Sequence, residues 1–196
     1  MLMDTPRLFE PYHTYLQKTL LPSRYTHSVN VMRVMEQLAL IYDLDPVKAM
    51  TIGLLHDIAH DLSPAEQLHL ADSVPIPLQH TCEQHPLILH ALVGAHLAAD
   101  RLGVSDPVIL NAIRCHGYCG NNPPLSERYT WCMRFADMLD PLRTWQDLTD
   151  QLAPPVFSGD LEQGARILVA WMVPFLENRG LPVHPNLYSL QRQLIN

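Results

Sequence analysis

The stretch Leu54–Leu62 reads LLHDIAHDL, and its two histidines admit two readings. His56 and His60 stand four apart, so on a continuous helix both would face one way, with an acid between them. That is the outline of a zinc-protease helix. Such a helix needs glutamate in the second position as general base toward a metal-bound water. Asp57 is one methylene shorter, and an acid directly after a ligand can itself turn toward the metal. In the second reading His56-Asp57 is one adjacent ligand pair, and the rest of the site lies elsewhere in the chain.

Outward from this stretch the chain reads as helix almost throughout. Asp45-Pro46 looks like an N-cap followed by proline at the first helical position, opening a helix that runs to about Asp61. Before it, Thr26–Tyr42 places Val31, Val34, Met35, Leu38 and Ile41 at helical spacing. After it, Ser63-Pro64-Ala65-Glu66 is a capping-box pattern, and Pro75 and Pro77 break the chain. Pro86–Leu102 is helical and ends at Gly103, and Asp106-Pro107 opens a short helix ending near His116-Gly117. Gly120–Pro124 reads as a loop, and Ser126 as the cap of the helix carrying Phe135-Ala136-Asp137. Pro154-Pro155 and Gly159 mark a second loop. Helices near Asp160–Asn178, kinked at Pro174, and Asn186–Leu194 close the chain. The expectation is an all-α fold of eight or nine helices: one domain over residues 1–150, with residues 151–196 as a helical extension packed on it.

The 196 residues suffice for one sizeable core, and 47% hydrophobic with 17% charged residues is a globular composition. A net charge of −7 argues against nucleic acid as a partner, since phosphate neutralisation needs a cationic surface. Four cysteines (Cys82, Cys115, Cys119 and Cys132) are sparse for a disulfide scaffold, and the N-terminus lacks the pattern of a secretory leader. The longest apolar run, near Ile167–Leu176, is too short to span a bilayer. These features predict a cytoplasmic protein without a membrane partner. The eleven histidines, against thirteen Lys plus Arg, raise the question of a metal.

Candidate ligands are spread along the chain: His27 in RYTHS, His56-Asp57, His90 in LHA, His116 in AIRCH and Asp137 in RFADM. Each is flanked by core-type residues. A charged aspartate in such surroundings is costly unless paired or metal-bound, and Asp137 could pair with Arg134 or Arg114. Converging helices can build a site of this kind.

In order, RYTHSVNV, LLHDIAHDL, LILHALVGA, AIRCHG and FADMLDPLR resemble the HD superfamily of metal-dependent phosphohydrolases, named for its His…His-Asp…Asp ligands. Within it they resemble the YqeK-type family, the symmetrical diadenosine-tetraphosphate hydrolases of bacteria, over roughly Pro22–Trp145. The resemblance implies a single HD-domain helical bundle and a binuclear metal centre. One metal takes His27, His56, Asp57 and Asp137; the second takes His90, His116 and the bridging Asp57. Six protein ligands are too many for one catalytic metal that keeps open positions, and suit two metals about 3.5–4 Å apart. The family expectation is iron, with manganese or zinc compatible with the same N/O donors. The implied activity is symmetrical cleavage of diadenosine tetraphosphate to two ADP by a metal-bridged hydroxide. The alternatives are another nucleotide or phosphoester substrate, or a non-catalytic metal-dependent nucleotide-binding regulator.

The chain departs from the family around the ligands. His60 stands where the superfamily commonly has lysine. It is a candidate for catalysis beside Asp57 and for phosphate binding, or else a spectator at a helix end. Gly117-Tyr118-Cys119-Gly120 replaces small hydroxyl residues, and Asp140-Pro141-Leu142-Arg143 carries a shorter acid than the family's Glu-Pro-x-x-Arg. Arg24 and Arg143 are candidates for substrate phosphate, since guanidinium forks suit phosphate oxygens; Arg143 could instead pair with Asp140 or Asp147. Cys115-His116-x-x-Cys119 is too small a set for a separate zinc, and Cys115 reads as buried. The last fifty residues form extra helices or a homodimer surface, with Trp171 and Met172 as core.

Overall fold

The computed structural model describes residues 5–72, 85–117 and 123–195. Among these are ten helices and no strand: α1 (Thr5–Thr19), α2 (Pro22–Ile41), α3 (Pro46–Leu55), α4 (Pro64–Ala71), α5 (Pro86–Leu102), α6 (Pro107–Cys115), α7 (Arg128–Met138), α8 (Gln146–Ser158), α9 (Leu161–Glu177) and α10 (Pro185–Ile195). The all-α expectation holds. Cys82, Cys119, His80, Pro75, Pro77 and most of the loop read at Gly120–Pro124 lie outside the described residues.

Local chemistry sets most of the helix starts. α2, α3, α4, α5, α6 and α10 each open on proline, whose fixed φ suits the first turn and whose missing N–H would have had no helical acceptor. The caps read at Asp45 and Asp106 form, accepting from Val47 and Lys48 and from Val108. Ser63 and Glu66 make the reciprocal capping box. Gly103, with φ 68°, ends α5 in the left-handed conformation.

Four expectations are corrected. α2 starts at Pro22, a turn before Thr26, so His27 lies within the helix rather than at its start. α1 precedes it and carries Phe9 and Leu16 into the core. Ser126 does not cap α7: its carbonyl accepts from Arg128 N at 2.9 Å, and Glu127 stands at the N-cap position without a side-chain bond to the helix backbone. Pro154 and Pro155 lie inside α8, not in a loop. Leu148, Leu152 and Val156 are buried at four-residue spacing, and this stripe carries the helix through residues whose propensity opposes it. Only Gly159, at φ 88°, marks the break.

The fourth correction decides the opening question. α3 ends at Leu55 rather than near Asp61. Beyond it the bonds tighten to three-residue closures: Ile58 N to Leu55 O, His60 N to Asp57 O and Leu62 N to Ala59 O. His56 and His60 are therefore not partners on one α-helical face, and the zinc-protease outline dissolves.

The core forms where α2, α3 and α7 meet. Gly53 lets α3 lie directly on α2, since a Cβ there would stand 2.8 Å from the Met32 Cα. α6 packs beside α3 and α5 against α6; α8 and α9 pack against the α2–α7 side, with α10 against α9. Met172 is buried as expected, but Trp171 is half-buried in a surface aromatic cluster. Cys115 and Cys132 are buried and free. No helix among the described residues is long and apolar enough to cross a membrane.

Candidate metal centre

The six candidate ligands read from the sequence converge. His27 comes from α2, His56-Asp57 from the end of α3, His90 from α5, His116 from the end of α6 and Asp137 from the last turn of α7. Asp57 lies at the centre and divides the others. Its Oδ2 is 3.6 Å from His27 Nε2 and 3.4 Å from His56 Nε2. Its Oδ1 is 3.4 Å from His90 Nε2 and 3.7 Å from His116 Nε2. Asp137 Oδ1 stands 3.1 Å from His27 Nε2. Two trios, His27–His56–Asp57 and Asp57–His90–His116, each bring their ligand atoms within 4.8 Å of one another.

The other ring nitrogen of each histidine is already engaged. His56 Nδ1 donates to Gly53 O at 2.8 Å, His90 Nδ1 to Pro86 O at 3.2 Å and His116 Nδ1 to Ile113 O at 2.6 Å. A carbonyl can only accept, so these bonds place the proton on Nδ1 and leave an Nε2 lone pair facing Asp57. His27 finds no carbonyl of its own helix. Its Nδ1 meets Asp140 Oδ2 at 2.5 Å, 113 residues away in sequence. Asn30 Nδ2 and Leu142 N hold the other oxygen of Asp140, at 2.9 and 3.1 Å.

This arrangement fits a cation. His56 Nε2 is buried without a hydrogen-bond partner, and so is His27 Nε2 despite its closeness to Asp137. His90 Nε2 and His116 Nε2 lie 2.9 Å apart. With both Nδ1 protons donated to carbonyls, that pair sets two lone pairs against each other, a conflict that a shared metal ion removes. Imidazole and carboxylate donors suit divalent transition metals.

Electrostatics differ along the cluster. Burial opposes charge on both members of the His56–Asp57 pair, but their attraction outweighs it: the imidazole pKa is raised and the carboxyl is held well below its usual range. Asp137 is likewise lowered: burial opposes, and His27 and Arg143 prevail. At the other end, burial and neighbouring rings lower His90 and bring His116 down to about 3, which keeps both neutral, as ligands must be.

Two guanidiniums hold the carboxylates. Arg24 Nη1 donates to Asp57 Oδ2 and Arg143 Nη2 to Asp137 Oδ1, both at 2.7 Å. Asp137 thus pairs with Arg143, rather than with Arg134 or Arg114, and Arg143 pairs with neither Asp140 nor Asp147. Arg134 is buried and donates through Nε and Nη2 to Cys115 O, fixing the end of α6 beside His116. His60 lines the same cleft, half-buried, its ring 5.2 Å from that of His90. Cys115 Sγ faces Asn111 Oδ1 at 3.6 Å, away from the cluster.

Sequence reasoning missed two parts of this site. Asp140 appeared only as a departure from a family pattern, yet it orients His27; its position one turn beyond Asp137 was the available signal. The outer wall was missed as well. Met172, Phe175 and Leu176 of α9, Pro182, and His184 with Leu187 at α10 line the same cleft as the candidate ligands. Apolar residues on a helix give no signal that separates cleft lining from core.

The HD domain family model matches residues 24–143, the segment that carries all six converging side chains. The chain belongs to the HD domain family and is a hydrolase of that metal-binding class. It is 27% identical to the symmetrical bis(5'-nucleosyl)-tetraphosphatase of Bacillus subtilis over 181 residues, 92% of this chain and 94% of that one. It is 26% identical to the enzyme of the same name from Halalkalibacterium halodurans, over 88% of this chain and 89% of that one. Among solved structures, an HD superfamily hydrolase from Clostridium acetobutylicum, described as involved in NAD metabolism, superimposes with a TM-score of 0.86 at 27% identity, covering 95% of this chain and 96% of that chain.

Proposed function

We propose that the protein hydrolyses diadenosine tetraphosphate symmetrically. Water adds to a central phosphorus, the bond to the bridging oxygen breaks, and two molecules of ADP result. The site would hold two divalent metal ions, iron by preference, with His27, His56, Asp57 and Asp137 around one and Asp57, His90 and His116 around the other. The observation that carries this reading is the division of the Asp57 carboxylate, each oxygen facing its own pair of imidazoles. When bound, the metals supply Lewis-acid polarisation of the phosphate and a water made nucleophilic at neutral pH.

The protein's own groups do the rest. Asp57 and Asp137 hold negative charge where cations are needed, and the four Nδ1 bonds fix the rings. Arg24 and Arg143 stand at the carboxylates' open edge, where their forks can take phosphate oxygens. His60 offers a hydrogen bond to the same phosphates. Arg24, His60, Asp137 and Arg143 line one cleft, with a cavity volume of about 200 Å³, together with apolar residues of α9 and α10. The names of the two tetraphosphatases support the substrate.

The test is product analysis. Protein loaded anaerobically with ferrous iron, and in parallel with manganese, is incubated with diadenosine tetraphosphate. ADP as sole product is expected. AMP with ATP, or no product from metal-loaded protein, would overturn the substrate assignment.

A further inference from the structure

The cleft has two unlike walls. One is charged and carries Arg24, Asp57, Asp137 and Arg143, linked by the two 2.7 Å ion pairs. The other is largely apolar, built from Met172, Phe175, Leu176, Pro182 and Leu187 with the buried His184 among them, all beyond residue 143, where the family match ends. Leu87 and Ile88 of α5 add to the apolar lining, and Leu87 is 41% exposed. A hydrolase acting only on phosphate has no use for such a surface beside its metals.

A continuous chain of contacts joins the walls. The Arg143 guanidinium lies 4.7 Å above the Trp145 ring. Trp145 meets Phe175 edge-on at 5.1 Å, and Trp171 stacks on Phe175 at 4.2 Å. Arg179 covers Phe175 at 3.9 Å. The rings are locked by one another, so the wall is rigid before any ligand arrives. Their faces are also taken. What the wall offers a ligand is ring edges and the aliphatic side chains Met172, Leu176, Pro182 and Leu187, which means apolar contact and shape rather than a stacking platform. Arg143 adds a buried Nε–H without a partner, at the junction of the two walls.

We infer that α9, α10 and the turn between them form the nucleoside-binding wall of the cleft: a polyphosphate lies against the metal-ligand end, and the nucleoside it carries packs against Leu176, Met172 and Leu187. The inference rests on the phosphohydrolase reading, which puts phosphate at the Arg24–Arg143 end. It gives the C-terminal helices a part in substrate choice, while the ligands on α2 to α7 carry the chemistry.

The test uses Leu176→Ser on the C-terminal wall and Leu87→Ser on α5, where exposure makes loss of folding a minor concern. ADP binding to the manganese-loaded protein is measured by calorimetry, with inorganic tetraphosphate as a nucleoside-free competitor. KM and kcat for diadenosine tetraphosphate are measured alongside. Leu176→Ser is expected to bind ADP about tenfold more weakly, as loss of an apolar leucine contact implies, and Leu87→Ser, at the exposed edge of the cleft and outside the α9–α10 wall, by less. KM should rise in proportion, with kcat within about twofold and tetraphosphate affinity unchanged. Unchanged ADP affinity in Leu176→Ser would overturn the inference whatever the activity, and so would an equal loss of ADP and tetraphosphate. Wild-type protein that binds ADP through Leu176 but turns over no dinucleotide would leave the wall standing and remove the proposed reaction.

Discussion

The two sides of Asp57 are built from different chemistry. Its Oδ2 side gathers His27 and His56 with a second carboxylate, Asp137, and a third, Asp140, behind the His27 ring. Arg24 and Arg143 offset that negative charge. The Oδ1 side has imidazoles alone, His90 and His116, with nitrogens 2.9 Å apart and pKa values pushed down by burial and by neighbouring rings. A divalent cation on the Oδ2 side meets fixed negative charge in a buried setting, where Coulomb attraction is strong. On the Oδ1 side it meets one shared carboxylate oxygen and two neutral lone pairs. On the proposed two-metal reading the sides should hold metal with unequal strength, the Oδ2 side loading first.

The largest effect should come from removing what both sides share. Asp57→Asn keeps the shape but cuts the shared negative charge. It is expected to release both metals together and to lower metal affinity by more than about a hundredfold, beyond what a supporting residue alone contributes. Metal analysis after dialysis checks this, and retention of both metals would break the two-sided description. The next effect separates the sides. His116→Ala should leave the Oδ2 side loaded and give one metal per chain at limiting metal. His27→Ala should instead remove the stronger site, so that the first equivalent binds more weakly than in wild type. Competitive titration against a chelator reads both, and equal first-equivalent affinities in the two variants would mean that the sides are alike.

These differences were only partly legible in the sequence. The ligands were legible because each sits near a helix end or among core residues, where a histidine or aspartate without a partner would be costly, and because five short blocks stood in a fixed order. The helix starts were legible because proline and Asp or Ser caps act within three residues. Pro154-Pro155 misled because local propensity was read without the buried stripe of Leu148, Leu152 and Val156 that outweighs it. The end of α3 misled because nothing local distinguishes one more helical turn from the three-residue closures that carry the buried Ile58 and Ala59. Met172, Phe175 and Leu176 could not be separated from core, since apolar periodicity records burial and not what does the burying.

Asp140 gives the finest test of the comparison. Three of the four candidate ligand histidines orient themselves on a carbonyl three or four residues back in the chain. His27 uses a carboxylate that arrives from beyond α7, itself held by Asn30 and by the backbone of Leu142. A charged acceptor behind an imidazole raises the basicity of the nitrogen in front, so on the two-metal reading the Oδ2 side draws strength from a residue outside the proposed ligand set. Asp140→Asn keeps the size of the side chain and removes the charge. It is expected to weaken the stronger site by about 10- to 100-fold while leaving the affinity on the His90–His116 side unchanged. Asp140→Glu, which restores the charge with one more methylene, should recover most of the loss. A titration in which Asp140→Asn weakens both sides equally would assign Asp140 a structural part only, and the inequality between the two sides would then rest on Asp137 alone.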